Sequence, residues 1–225
     1  MASHARKQAK GFTLIELIIV ITILVILGVV VVMLIDPAEI MAQSRDSQRI
    51  SDLATMKGAT QLVLASGVPS NYGTVCDTAQ PITAMAKIWT STVTAGGSGY
   101  SFVSATSTRS LVDSTGWVKI DYTTPSTGRA LANLPTDPTN QYVVAGTAGL
   151  YYRWGCTYIS GKYEYEFDAA LESAKYKAGC TASGCDDKGL TDGGNSNATV
   201  TPTGNNDRYE VGNNLNVLPA TALSS

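Results

Sequence analysis

The sequence predicts an α+β fold, in which a long N-terminal helix packs on a small antiparallel β-sheet and the C-terminus is rich in loops. One half of the helix is expected to span a membrane and the other half to be amphipathic. Three observations predict this fold. Residues 12–35 are apolar or small except for one acid, an apolar stripe with helical spacing follows, and residues 162–171 largely alternate between apolar and acidic side chains.

The apolar segment, residues 12–35, is long enough to cross a membrane. At about 1.5 Å rise per residue it would form a helix of about 36 Å, against about 30 Å for a hydrocarbon core. The preceding tail carries Arg6, Lys7 and Lys10 and no acid. Such a tail stays in the cytoplasm. We therefore expect a single-pass protein of the cytoplasmic membrane with its C-terminus outside.

Glu16 is the one acid inside this segment. An ionised carboxylate in a bilayer interior costs at least about 2.5 kcal/mol on insertion scales and usually marks a function with a specific partner. A positively charged partner is therefore expected. The sequence changes from charged to apolar at Gly11 and Phe12, at the start of the segment. A secretory signal differs, because it has a shorter apolar core and its cleavage site follows that core.

Residues 10–17, with the sequence Lys-Gly-Phe-Thr-Leu-Ile-Glu-Leu, resemble the type III signal of type IV pilins and type II secretion pseudopilins. The resemblance implies cleavage between Gly11 and Phe12 by a prepilin peptidase, N-methylation of Phe12, and retention of the apolar helix. It also implies that Glu16 faces the N-terminal amine of a neighbouring subunit in a filament. The implied partners are other copies of the chain, related pilins, the peptidase and methylase, and an inner-membrane assembly platform.

The resulting domain organisation has four parts. A leader peptide occupies residues 1–11, a transmembrane and assembly helix residues 12–35, an amphipathic helix residues 36–66, and a globular ectodomain residues 67–225. The amphipathic helix has a start signature in Asp36 at the N-cap, Pro37 at the first helical position and Glu39 at N3. Either one helix kinks at Pro37 or two helices meet there.

The amphipathic helix has an apolar stripe and a charged side. The stripe is expected to pack on the sheet and consists of Ile50, Leu53, Met56, Thr60 and Val63. The charged side contains Asp46, Arg49 and Asp52, which we interpret as a solvated face with weak ion pairs. Contacts with adjacent subunits are the alternative interpretation of these charges. Gly67 is expected to end the helix.

In the ectodomain the clearest prediction is a hairpin of residues 150–159 and 162–171 around a Ser160-Gly161 turn. A short helix is predicted over residues 82–93, and strands over residues 100–104 and 117–122. Residues 134–138, Leu-Pro-Thr-Asp-Pro, resemble the L-P-x-D-P element of major pseudopilins.

The C-terminal region and the cysteines leave alternatives open. Residues 179–207 are either a solvated, disordered loop or a calcium loop like that of pseudopilins, with Asp187, Asp192 and Asp207 as candidate oxygen ligands. No other cofactor is expected. Four cysteines in an exported domain favour disulfides, and of the three possible pairings we favour Cys76 with Cys156 and Cys180 with Cys185.

Composition disfavours catalysis and nucleic-acid binding. The one histidine, His4, lies in the leader, and Glu164 and Glu166 are interpreted as solubilising acids on a strand. Without the leader the chain has 13 of its 16 basic residues against 18 acids, a net charge of −5, and no basic patch for phosphate.

We expect a structural subunit of a type IV pilus-like filament (fimbrium) or a type II secretion pseudopilus, extracellular or periplasmic. The alternative is an uncleaved, membrane-anchored extracellular binding domain.

Overall fold

A computed structural model describes residues 11–34, 36–67, 69–76, 88–92, 108–123, 128–140, 149–176, 208–215 and 217–218. The chain divides into two compact units, Met1–Ile40 and Met41–Ser225. The first contains helix α1, Leu14–Leu34, which is apolar on all sides. The second contains most of helix α2, the short helix α3, Tyr72–Val75, and a four-stranded sheet.

Helix α2, Pro37–Ser66, begins at the predicted cap. The carboxylate Oδ1 of Asp36 accepts hydrogen bonds from the backbone N–H groups of Ala38, at 3.0 Å, and Glu39, at 3.4 Å. These bonds satisfy two of the backbone donors that a helix start leaves without partners. The helix stops before Gly67, whose φ of 137° is a conformation that favours glycine. Both predicted ends are therefore confirmed.

The sheet contains β1, Ile88–Thr90, β2, Tyr152–Ile159, β3, Lys162–Ala170, and β4, Arg208–Gly212, in the order β1-β2-β3-β4. All three pairings are antiparallel. The predicted hairpin is β2 and β3. Its turn residues Ser160 and Gly161 have φ values of 53° and 79°, and two positive φ values are what a tight turn matching the strand twist requires.

The core forms between α2 and one face of the sheet. The predicted stripe is buried at Leu53, Met56, Thr60 and Val63, and Ile50 is half-buried. The polar member of the stripe has a partner, because the hydroxyl oxygens of Thr60 and Tyr122 lie 2.8 Å apart. The sheet and the segments next to it add large side chains to the same cluster: Trp117, Tyr152, Trp154, Tyr165 and Phe167. The α+β prediction, with a helix packed on an antiparallel sheet, is confirmed.

The charged side of α2 is buried, so the prediction of a solvated face is wrong. Asp46 and Arg49 are both 0% exposed. The Arg49 guanidinium donates to Asp46 and to Asp137, and Asp52 accepts a hydrogen bond of 2.8 Å from the hydroxyl of Tyr152. An apolar stripe tells which face of a helix packs on the sheet, but it does not tell whether distant segments cover the other face.

The acidic side of β3 is buried as well. Glu166 and Asp168 are 0% exposed, although their neighbour Glu164 is partly exposed. The interpretation of Glu166 as a solubilising acid is therefore wrong. Asp168 pairs with Arg153 on β2 and with Arg208 on β4, and these cations lie outside the residues whose alternation predicted the strand.

Residues 117–122 do not form the predicted strand. They run as an irregular segment with one isolated bridge between Asp113 and Asp121. The carboxylates of these two residues accept backbone N–H bonds from Thr115, at 3.1 Å, and Thr123, at 2.8 Å. Such local bonds compete with a strand ladder. The β-branched and aromatic residues that suggested a strand are buried in the core instead.

The predicted helix over residues 82–93 is also wrong where the structure describes it, because Ile88–Thr90 is strand β1. Pairing with β2 overrides the local helical pattern there. Residues 82–87 and the predicted strand over residues 100–104 lie outside the described residues.

A disulfide joins Cys76, which follows α3, to Cys156 on β2, with 4.8 Å between the Cα atoms. Both residues are buried in the core cluster. The link ties the segment after the long helix to the centre of the sheet. Cys180 and Cys185 lie outside the described residues, as do the candidate calcium ligands Asp187, Asp192 and Asp207 and the whole of the loop over residues 179–207.

Candidate processing and assembly site

The candidate site lies at the start of helix α1. Among the described helices, α1 is the one that is long and apolar enough to cross a membrane, over the stretch Leu14–Val32. Its large side chains are exposed on every side, and a helix that is apolar all round needs apolar surroundings all round. The hydroxyl of Thr22 is satisfied within the helix, donating to the carbonyls of Ile18, at 3.0 Å, and Ile19, at 2.8 Å.

Among the described residues, nothing packs closely enough on Gly11 to require glycine there. It lies before the helix, in a segment of non-helical backbone formed by residues 11–13. A Cβ added to Gly11 would meet no atom within 4 Å.

Thr13 and Glu16 form a capping box at the start of α1. The Oε2 atom of Glu16 accepts hydrogen bonds from the Thr13 backbone N–H, at 3.0 Å, and from the Thr13 hydroxyl, at 2.9 Å. The Thr13 Oγ1 atom in turn accepts a bond of 3.3 Å from the Glu16 N–H. This reciprocal arrangement satisfies orphan donors of the first helical turn.

The capping box sets the position of the Glu16 carboxylate. Glu16 lies in the first turn of α1, about 3 Å along the axis from Leu14 at about 1.5 Å per residue. Negative charge is favoured there, because a helix N-terminus carries a partial positive charge. Both hydrogen bonds to the carboxylate end on Oε2, so among the described residues Oε1 has no protein donor. That oxygen is available to a cation.

The structure brings together the predicted residues Gly11, Phe12 and Glu16 within one short segment. The side chain of Phe12 is 86% exposed. Thr13 was missed as a site residue, although the signal was in the sequence: Thr13-Leu14-Ile15-Glu16 has the Thr-x-x-Glu spacing of a capping box. The expected positive partner of Glu16 is absent from the described part of the chain, where Thr13 is its partner.

Residues 6–35 match the family described as Prokaryotic N-terminal methylation motif. The segment is a prepilin-type cleavage and methylation motif, as in type IV pilins and pseudopilins. A search of curated proteins and a search of solved structures found no match. The motif and the apolar helix together indicate a membrane-anchored protein. The family with the pilin-type methylation motif is a family of structural subunits.

Proposed function

We propose that this chain is a prepilin that is cleaved between Gly11 and Phe12, N-methylated on Phe12, and assembled through its N-terminal helix as a structural subunit of a filament. The observation that carries the proposal is the methylation motif over residues 6–35, which ends in a helix that is apolar on every side. Such a helix suits both a bilayer and the interior of a bundle of identical helices. The partners are other copies of the chain, related pilins, the peptidase and methylase, and the inner-membrane assembly platform.

Before assembly the chain is held in the inner membrane with residues 36–225 outside. Cleavage leaves a new amine on Phe12, one residue from the capping box. In the filament the Glu16 carboxylate of one subunit faces the Phe12 amine of its neighbour. A charge pair inside an apolar bundle gains attraction from low dielectric and loses hydration, so its main effect is to set the register between subunits.

Within the filament class, a type II secretion pseudopilus is favoured by the turn of residues 134–138. Asp137 in this turn is the buried partner of Arg49 on α2. Calcium in the loop over residues 179–207, with ligands Asp187, Asp192 and Asp207, belongs to the same proposal. The competing function is an uncleaved, membrane-anchored binding domain, which requires neither cleavage nor polymerisation.

Intact mass of the membrane-held protein tests the processing step. The wild-type chain should lose residues 1–11 when coexpressed with a prepilin peptidase. Gly11→Val should keep them, because a side chain would enter a site that accepts almost none. Gly28→Val is the matched control. A Cβ added to Gly28 also meets no atom within 4 Å, but Gly28 lies inside α1, so cleavage should continue. Trimming of Gly11→Val at Phe12 would contradict the assignment of cleavage to a prepilin peptidase. An untrimmed wild type would favour the anchored binding domain.

A further inference from the structure

Two large apolar side chains are exposed at the start of helix α2. Ile40 and Met41 are 54% and 60% exposed, which is more than any other large apolar side chain described after α1. Arg45 follows Met41 by four residues, and its side chain is 34% exposed. Residues four apart lie on the same side of a helix. The first turns of α2 therefore present an apolar side chain next to a cation.

Arg45 is held in place without using all of its donors. Its Nε and Nη2 atoms donate to the two carboxylate oxygens of Glu172, at 2.6 and 3.0 Å. The third nitrogen, Nη1, has no acceptor among the described residues. A guanidinium can bind a carboxylate along one edge and offer its other N–H groups to a phosphate. Arg45 is therefore fixed in orientation and still able to bind an anion.

The short turn after β3 lies against the same part of α2. Asp46 on α2 accepts the backbone N–H of Ser173 at 2.8 Å, and the Tyr176 N–H donates to the Ser173 carbonyl at 3.3 Å. Lys175 and Tyr176 are both partly exposed, and the Lys175 ammonium lies 4.8 Å from the centre of the Tyr176 ring. The Asp46 carboxylate thereby holds a second cation and an aromatic ring beside the third turn of α2.

Chain length keeps this region close to the membrane that anchors α1. At about 1.5 Å per residue the 21 residues of α1 extend about 32 Å, which fills a hydrocarbon core of about 30 Å. From Leu34, the last residue of α1, the chain reaches Met41 in at most about 17 Å, because three steps of up to about 3.6 Å are followed by four helical steps of about 1.5 Å. Each headgroup layer extends about 5–8 Å beyond the core. Met41 therefore lies within reach of the headgroups.

We propose that one surface of the second unit rests on the lipid headgroups of the membrane in which α1 is anchored. This headgroup surface consists of Met41, Arg45, Lys175 and Tyr176. Its apolar and aromatic side chains contact the boundary of the hydrocarbon, and its two cations bind lipid phosphate. Tyrosine is enriched at membrane interfaces, and basic residues next to a membrane-spanning segment are attracted to anionic lipid. The proposal depends on the membrane anchor, but it requires neither cleavage nor assembly.

The charges around the surface favour phosphate. Two acids lie nearby. Glu172 is paired with Arg45 and with Arg49, so one carboxylate faces two guanidinium groups. Glu39 precedes Met41 by two residues, which places it about 160° away around the helix axis at about 100° per residue. The side of α2 that carries Met41 therefore keeps positive charge for an anionic headgroup.

Photo-crosslinking of the full-length chain in lipid vesicles, without a peptidase, tests the contact. Benzoylphenylalanine replaces one residue at a time, and mass spectrometry measures the yield of lipid adducts. Replacement of Met41 or Tyr176 should give lipid adducts. Val25, inside α1, is the positive control. Leu62 is the matched negative control, because it is 39% exposed on the same helix as Met41 but about 32 Å further along it.

The role of the cations is tested in vesicles that contain phosphatidylglycerol. Lys175→Gln should lower the adduct yield at Tyr176 by up to about fivefold, which is the factor that one lysine near an anionic membrane contributes. Lys162→Gln removes a lysine at the other end of β3. It is the matched control and should leave the yield at Tyr176 unchanged.

The controls separate failure of this proposal from failure of the membrane anchor. Adducts at Val25 without adducts at Met41 would overturn the headgroup surface and leave the anchor intact, whereas no adducts at Val25 would overturn both. Adducts of Met41 to a second copy of the chain in place of lipid would also overturn the proposal, because the surface would then be a protein interface. Equal yields at Tyr176 in the Lys175→Gln and Lys162→Gln chains would overturn the binding of phosphate by Lys175.

Discussion

Arg49 and Asp137 form a buried two-bond ion pair between helix α2 and the Leu-Pro-Thr-Asp-Pro turn. Nε of Arg49 donates to Oδ2 of Asp137 at 2.6 Å, and Nη2 donates to Oδ1 at 3.0 Å. The same guanidinium donates to Glu172, just after β3, at 2.8 Å. Oδ1 of Asp137 also accepts the N–H groups of Thr139, at 2.8 Å, and Asn140, at 3.0 Å. One side chain therefore joins the helix, the turn and the end of the sheet.

Replacing Arg49 should destabilise the ectodomain strongly. Arg49→Met leaves Asp46 and Asp137 buried without their cation, and breaking one partner of a buried ion pair costs about 3–5 kcal/mol. Arg49→Lys keeps a charge but loses the paired geometry, so its loss should be smaller. Denaturant unfolding followed by tryptophan fluorescence measures this, since all three tryptophans lie in the second unit. Lys57→Met removes a cation from the same helix and should be near neutral. Equal losses of unfolding free energy in Arg49→Met and Lys57→Met would contradict the stabilising role of the buried Arg49 ion pairs.

Acid should destabilise the same unit through Glu172 and Asp168. A hydrogen bond from Arg45 and the charge of Arg49 lower the pKa of Glu172, and Arg153 and Arg208 lower that of Asp168 against the effect of burial. Each carboxylate contributes stability that is present above its unfolded pKa and is lost as pH falls through its folded pKa. Unfolding midpoints should therefore fall on acidification. In Glu172→Gln the unfolding midpoint should depend less on pH. An unchanged dependence of the midpoint on pH under acidic conditions would count against the role of Glu172.

Local signals in the sequence predicted the elements that local physics determines. Asp36 and Gly67 mark the ends of α2 through a cap and a positive φ, and the alternation of residues 162–171 marks β3. Each of these signals depends on neighbours within a few residues. The apolar stripe of α2 was also recoverable, because helical spacing identifies one face without knowledge of what covers it.

Burial of the charged side chains could not be predicted from the sequence in the same way. Arg49 pairs with Asp137, 88 residues away, and Arg208 pairs with Asp168, 40 residues away. A charged residue on the far side of a helix or strand looks the same in sequence whether solvent or a distant counter-ion faces it. Thr13 is a different case, because its partner Glu16 is three residues away and the capping spacing could have been read.

Removing the Cys76–Cys156 disulfide should lower stability without changing the fold. The bond closes a loop of sequence separation 80, for which the chain-entropy estimate is about 4 kcal/mol. The double variant Cys76→Ser with Cys156→Ser should unfold at lower denaturant than the wild type. Peptide mapping without reduction should recover the two wild-type cysteines in one linked species. Recovery of Cys76 linked to Cys180 or Cys185 would show a different pairing.

Breaking the capping box at Thr13 should weaken the start of α1 while Glu16 keeps its charge. Thr13→Val removes the hydroxyl that joins Thr13 and Glu16, and loss of an N-cap costs about 1 kcal/mol. Thr13→Ser keeps a hydroxyl and serves as the control. Amide exchange of residues 14–17 in detergent should rise in Thr13→Val and stay near wild type in Thr13→Ser. Similar exchange in the two variants would mean that the hydroxyl does not hold the helix start.

Neutralising Glu16 should separate its charge from its capping role. Glutamine also serves at the N3 position of a capping box, so Glu16→Gln should keep the start of α1 ordered in the same exchange experiment. Membrane insertion should persist or improve, since a neutral amide costs less in apolar surroundings than an ionised acid. Under the proposed function, the charge pair with the Phe12 amine of the next subunit is lost. Sheared filaments should disappear while the processed subunit accumulates in the membrane.

The comparison with Thr13→Val decides which property of Glu16 assembly requires. If the charge is required, Glu16→Gln should abolish filaments and Thr13→Val should reduce them less, because its carboxylate is still ionised. If the ordered helix start is required, the ranking should reverse. Filament yield from cells that also express the assembly machinery, together with the intact mass of the membrane-held subunit, distinguishes the two. Normal filaments from Glu16→Gln would show that the acid has no role in subunit pairing.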